Sequence, residues 1–105
     1  MEILWSADAL IDLENIRASE AGREHGDPLK VLGMCHYLYD YPARELNPLP
    51  DLSFPRRGKP GLRPKTFDLP VPRYPNYIIT YVPHAGFAEI VAVRDCRRKP
   101  GRRPG

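Results

Sequence analysis

The residues of this 105-residue chain best equipped for chemistry are its cations. The stretch FPRRGKPGLRPKT at 54–66 holds Arg56, Arg57, Lys59, Arg63 and Lys65, and a second group, Arg94, Arg97 and Arg98, follows closer to the C-terminus. Guanidinium and ammonium groups at this density hold phosphate oxygens or the carboxylates of an acidic protein. Groups able to move protons are sparser. Histidines occupy 25, 36 and 84, and only His84 falls among the cations. Asp95 and Glu45 are carboxylates available as a base, and Tyr81 is a phenol able to orient a phosphate. No neighbouring residue marks any of these as activated.

The charge is divided unevenly. Residues 1–53 carry ten acidic and four basic side chains, and residues 54–105 carry three acidic and twelve basic ones, so a net charge of +3 is the sum of −6 and +9. The second half attracts polyanions and the first does not, which points to nucleic acid or an acidic protein as a partner. The loop at 54–66 has no aromatic residue between Phe54 and Phe67, so it is not a stacking platform for single strands. Its alternative reading is a solvated connection stiffened by three prolines.

Metal and thiol chemistry have little support. Zinc takes about four ligands at paired spacings. Here Cys35 and His36 would need Cys96, His25 and His84 to converge on them. Cys35 lies on an apolar helical stripe, where it acts as a small hydrophobe. Two cysteines are too few for a disulfide scaffold, and no leader of the secretory kind opens the chain. The expectation is a reduced, cytoplasmic protein with no cofactor and no membrane span.

The elements that position these residues are readable from pattern. Length allows one domain. EILW at 2–5 suits a first strand. Ser6 suits an N-cap and Asp8 a place in the first turn of a helix whose apolar residues include Ala9, Leu13 and Ile16, closed at Gly22. Asp27 and Pro28 start a second helix with an apolar stripe of Val31, Met34, Cys35, Leu38 and Tyr41; Pro42 is expected to stop or kink it at about Tyr41, with room for one further helical turn at Ala43–Leu46 before Pro48 and Pro50. Tyr37, Tyr39 and Tyr41 spread over the faces of this helix as packing residues, with Tyr39 the most exposed.

Beyond the proline-rich segment, KTFDLPV at 65–71 reads as a strand, and YIITYV (77–82) and FAEIVAV (87–93) read as a hairpin turning at PHAG (83–86). The expected fold is α+β, with two N-terminal helices on one face of a small, mostly antiparallel sheet in the order β-α-α-β-β-β. That domain covers residues 1–96, and 97–105 form a basic tail expected to be disordered.

In order and spacing, WSADALIDLENI (5–16), FPRRGKPG (54–61), TFDLPVP (66–72), YIITYV (77–82) and AEIVAVRDCRRKP (88–100) resemble the RelE/ParE toxins of type II toxin–antitoxin systems. Trp5, Leu13 and Ile16 match the family's first-strand and first-helix core positions. Pro55 and Gly58 match its loop before the sheet, and Leu69, Tyr77, Tyr81 and Val93 its sheet residues. The resemblance implies a growth-arresting protein neutralised by a cognate antitoxin in a hetero-oligomer. ParE-like members act on DNA gyrase, and RelE-like members cut mRNA on the translating ribosome.

Where many members place an arginine before the acidic residue and leucine of the second strand, this chain has Phe67 before Asp68 and Leu69. Where many place a histidine after the last strand, it has Asp95. These departures favour a ParE-like protein-binding toxin over a ribonuclease built on Arg63, Lys65, Arg94 and Asp95, because RNA cleavage needs a positioned acid and base as well as cations. An inactive antitoxin-binding module is the third reading. Arg56, Arg57, Lys59, Arg63, Lys65, Arg94, Arg97 and Arg98 are the expected target-binding residues, with loop and tail flanking one edge of the sheet.

Overall fold

A computed structural model of the chain describes residues 2–22, 27–46, 59–60 and 65–97, with 59–60 described by backbone alone. Strand β1 (Glu2–Trp5) leads into α1 (Ala7–Ala21) and α2 (Pro28–Leu46). Strands β2 (Lys59–Pro60), β3 (Phe67–Pro70), β4 (Tyr77–His84) and β5 (Phe87–Asp95) follow. One sheet runs β1-β5-β4-β3-β2, antiparallel throughout except where β1 lies parallel to β5. The α+β class and the order of elements match the sequence reading, with one addition. Lys59 and Pro60, read as part of a loop, pair with Asp68 and Phe67 as a two-residue edge strand.

Each helix begins where its cap chemistry dictates. The Ser6 side chain accepts from the Ala9 N–H at 3.1 Å, and Asp8 places its charge in the first turn of α1. Gly22 closes α1 at a right-handed φ of −80°, so the backbone there does not demand glycine. Asp27 accepts from the Leu29 N–H at 2.9 Å at the head of α2. Val31, Met34, Cys35, Leu38 and Tyr41 are all buried, as their spacing requires.

Pro42 does not end this helix, which continues to Leu46. An interior proline costs about 3 kcal/mol through a lost hydrogen bond and a clash with the preceding turn. Here the ring is itself fully buried, and the extra turn carries Leu46 into the core at 0% exposure. Two buried apolar side chains return about 1.5–3 kcal/mol each, which is enough to carry the helix past the break.

Tyr77, Ile79 and Tyr81 of β4, Ala88, Ile90 and Val93 of β5 and Leu69 of β3 face the helices and form the core. A register irregularity between Thr80 and Tyr81 keeps this apolar set on one face along the long β4–β5 pair. The hairpin turn is tighter than expected: Pro83 and His84 pair with Ala88 and Phe87, leaving Ala85 and Gly86 as the loop. Gly86 has φ 86°, the left-handed region where a Cβ is penalised. Pro83 is tolerated in β4 because β3 pairs only with Ile78–Tyr81, so no neighbour needs its missing N–H.

One contact fixes α1 against the sheet edge. Strand β1 covers β5 only from Phe87 to Ile90, and past that point the Asp12 carboxylate of α1 accepts the Val93 N–H at 3.0 Å. Asp12→Ala removes that acceptor. The expected cost is about 1–3 kcal/mol in urea unfolding, with faster exchange of the Val93 amide than of the core amides of β4.

Candidate binding surface

Strand alternation sends Asp68, Ile78, Thr80, Val82, Ala92 and Arg94 to the sheet face opposite the helices. At its centre Asp68 accepts from the Thr80 hydroxyl at 2.7 Å and from Arg94 Nη2 at 2.6 Å. Arg94 is 33% and Asp68 17% exposed, so the pair is half-screened by solvent and positions the guanidinium more than it stabilises the fold. Nearer the hairpin, His84 meets Glu89 at 3.0 Å and its ring stacks on Phe87 with centroids 4.5 Å apart. The face is therefore aliphatic around an Arg94–Asp68 pair at its middle, with a histidine, a carboxylate and an aromatic ring toward the hairpin.

Residue 95 points the other way. Arg97, just after β5, bonds Asp95 at 2.9 Å and Glu20 of α1 at 2.7 Å, and lies 3.1 Å from the Tyr77 hydroxyl. The Tyr77 hydroxyl donates to Glu20 at 2.6 Å. Burial first, and then Glu20, pushes the Tyr77 phenol well above its ordinary range. Hydrogen bonds donated to Asp95 and then to Glu20 hold Arg97 charged. This cluster ties the end of α1 to the end of the sheet.

The expected site residues thus separate. Arg94 lies on the open face and Arg97 on the helix side, engaged by two carboxylates. Lys65 is exposed just before β3 at φ 66°, a strained conformation for a residue with a Cβ. Lys59 stands opposite Asp68 in register. Arg56, Arg57, Arg63 and Arg98 lie outside the described residues, as does His25.

Most of the loop and nearly all of the tail lie outside the described residues, and what is described of them, Lys59–Pro60 in β2 and Arg97 after β5, is set apart across the sheet. Strand β2 is separated from the end of β5 by β3 and β4. Tyr81 is fully buried and stacked on Phe67, so it cannot orient a surface phosphate. Glu45 is half-buried at the end of α2, and His36 is exposed on the same helix. Among the described residues no group of three or more His, Cys, Asp or Glu is placed to hold a metal ion, and no helix is long and apolar enough to cross a membrane. Asp68 was not read as a site residue from sequence. Its one signal is an acid between two apolar residues of a strand.

No family model and no curated protein matches the chain. Among solved structures it is similar to a chain of the chromosomal ParDE toxin–antitoxin system from P. aeruginosa, with a TM-score of 0.69 at 18% identity over 90% of this chain and 95% of that one. The fold is shared over nearly the full length of both, in agreement with the resemblance read from the sequence.

Tyr77 yields a pH test. The folded chain keeps the phenol protonated where the unfolded chain, with its ordinary value of 10.0, ionises. The stabilisation is therefore complete below pH 10 and is lost as pH rises beyond it, by up to about 1.4 kcal/mol per pH unit. Tyr77→Phe is expected to cost about 1 kcal/mol at neutral pH and to flatten the alkaline decline in denaturant-unfolding stability.

Proposed function

We propose that this chain is the toxin of a type II toxin–antitoxin system, arresting growth by binding a protein target such as DNA gyrase and neutralised by a cognate antitoxin in the cytoplasm. The observation that carries the reading is the shared fold, over 90% of this chain, with a chain of the P. aeruginosa ParDE system. The disposition of side chains supports a binding protein over a ribonuclease. Arg94 and Asp95, the cation and base of the ribonuclease reading, are consecutive in β5 and project from opposite faces, so one substrate cannot meet both. Asp95 is moreover occupied by Arg97.

On this reading the open face supplies the contact area. Lys65 at its approach and Arg56, Arg57, Lys59 and Arg63 of the preceding segment supply charge toward an acidic target surface, and Arg94 at its centre, paired with Asp68, supplies a positioned hydrogen-bonding group. Arg97 and Arg98 stand at the head of the basic C-terminal segment.

Induced expression in a bacterial host is expected to stop growth within minutes and leave the 5′ ends of total RNA unchanged, while the purified protein inhibits supercoiling by DNA gyrase. New 5′ ends inside translated codons would establish the ribonuclease instead, and undisturbed growth would establish an inactive antitoxin-binding module.

Charge and backbone strain separate at Lys65. Arg63→Ala with Lys65→Ala should weaken target inhibition about tenfold, the effect of two exposed charge contacts of about 0.7 kcal/mol each. Lys65→Gly should lose its share of that inhibition while raising stability by up to about 1 kcal/mol through relief of the positive φ, read by thermal unfolding beside the inhibition assay.

A further inference from the structure

Five arginines fall within the described residues, and three have carboxylate partners: Arg17 with Glu14, Arg94 with Asp68, and Arg97 with Glu20 and Asp95. The other two, Arg44 and Arg73, have none among the described residues, and they converge on one ring. Their guanidinium carbons lie 5.3 and 5.4 Å from the centroid of Tyr37, and Arg73 is also 5.9 Å from that of Tyr74. Arg44 comes from the last turn of α2 and Arg73 from the connection between β3 and β4. Two like charges from separate elements held on one aromatic, without a counter-charge among the described residues, make a site suited to an anion.

The platform beneath them is built, not incidental. Tyr37 stacks on the buried Tyr41 at 5.7 Å and meets the edge of Tyr74 at 5.4 Å. The loop carrying Arg73 is closed by two backbone hydrogen bonds of 3.0 Å, Tyr74 N–H to Val71 and Tyr77 N–H to Tyr74, and is stiffened by Pro72 and Pro75. A guanidinium packed on an aromatic through its face keeps its in-plane N–H donors free for an oxyanion.

Arg73 and Tyr74 also line a cleft of about 270 Å³, open to solvent, with Asn76, Tyr77 and Met34 among its other walls. An aromatic, a thioether and an amide around a narrow slot suit a flat heterocycle with a polar edge. Glu20 and Arg97, also on the wall, are paired with each other at 2.7 Å.

We propose that Arg44, Arg73 and this cleft bind a nucleoside phosphate, free or within a single strand. The phosphate rests on the two guanidiniums, and the base lies in the cleft against Tyr74 with the Asn76 amide at its polar edge. This site is distinct from the open sheet face and does not depend on the identity of the toxin's target.

The test titrates the full chain with AMP and UMP, with single-stranded RNA and DNA hexamers, with inorganic phosphate and with a polyglutamate peptide, following the Asn76 side-chain amide by NMR. Arg44→Gln and Arg73→Gln are run in parallel. Nucleotides or hexamers are expected to shift the Asn76 amide, and each substitution should weaken binding about tenfold, with a shallower salt dependence for the hexamers. Binding of mononucleotides as tight as that of hexamers identifies a free nucleotide as the ligand, and binding of hexamers alone identifies a strand. Either supports the site. Hexamer binding indifferent to both substitutions, substitution-sensitive binding of polyglutamate only, or no shift at Asn76 with any probe overturns it.

Discussion

Strand β5 is the element to which everything else in this fold is fitted. It lies between β4 and a β1 that is only four residues long, so its second half has a partner on one side only. A buried backbone N–H without an acceptor costs as much as several favourable contacts return. The chain meets this demand with a side chain. Helix α1 leaves β1 directly, with the Ser6 N–H still bonded to Ile90, and runs along the uncovered edge so that Asp12 reaches Val93. Glu20, two turns further, takes hold of Arg97 and Tyr77 where β5 ends. The position of α1, and through it that of α2, is set by this requirement and by the apolar face that β4 and β5 present.

The same strand divides the chemistry of the molecule. Alternation puts Arg94 and Asp95 on opposite faces, and each side chain is then claimed by a different neighbourhood: Arg94 by Asp68 and Thr80 on the open face, Asp95 by Arg97 on the helix side. A cation and a carboxylate adjacent in sequence become two structural devices about a sheet thickness apart. The open face keeps the Arg94–Asp68–Thr80 cluster in a largely aliphatic field, with His84 and Glu89 toward the hairpin. The helix side is locked by charge into a fixed clasp. An open face on a rigid support is what this distribution provides.

Local signals in the sequence carried much of the fold. Ser6, Asp27 and Pro28 act within a turn of their own position, and the stripe from Val31 to Tyr41 reports burial because helix geometry converts spacing into a face. Pro42 left the end of α2 open between a stop at Tyr41 and one further turn, because its local cost is offset by burial of its own ring and of Leu46, which only the assembled core reveals. The candidate site was less legible. Arg94 meets Asp68 across 26 positions and Arg97 meets Glu20 across 77, and charge gives no indication of which partner topology will bring near. Tyr81, chosen for its hydroxyl, is buried because the strand's period places it beside Ile79 on the core face.

Pairing separates the described cations more sharply than their number does. Counting positive charges treats Arg97 and Arg73 alike, yet Arg97 is bound to two carboxylates and spends its charge inside the fold, while Arg73 rests on aromatic rings with no carboxylate partner among the described residues. Neutralising a guanidinium with a protein carboxylate fixes its position and removes most of its attraction for a ligand. Fixing it on a tyrosine secures the position and leaves the charge. The fold uses the first device where strand ends must be clasped to helices and the second where α2 and the β3–β4 connection meet. The arginines held without being neutralised are the ones whose charge is left for a ligand.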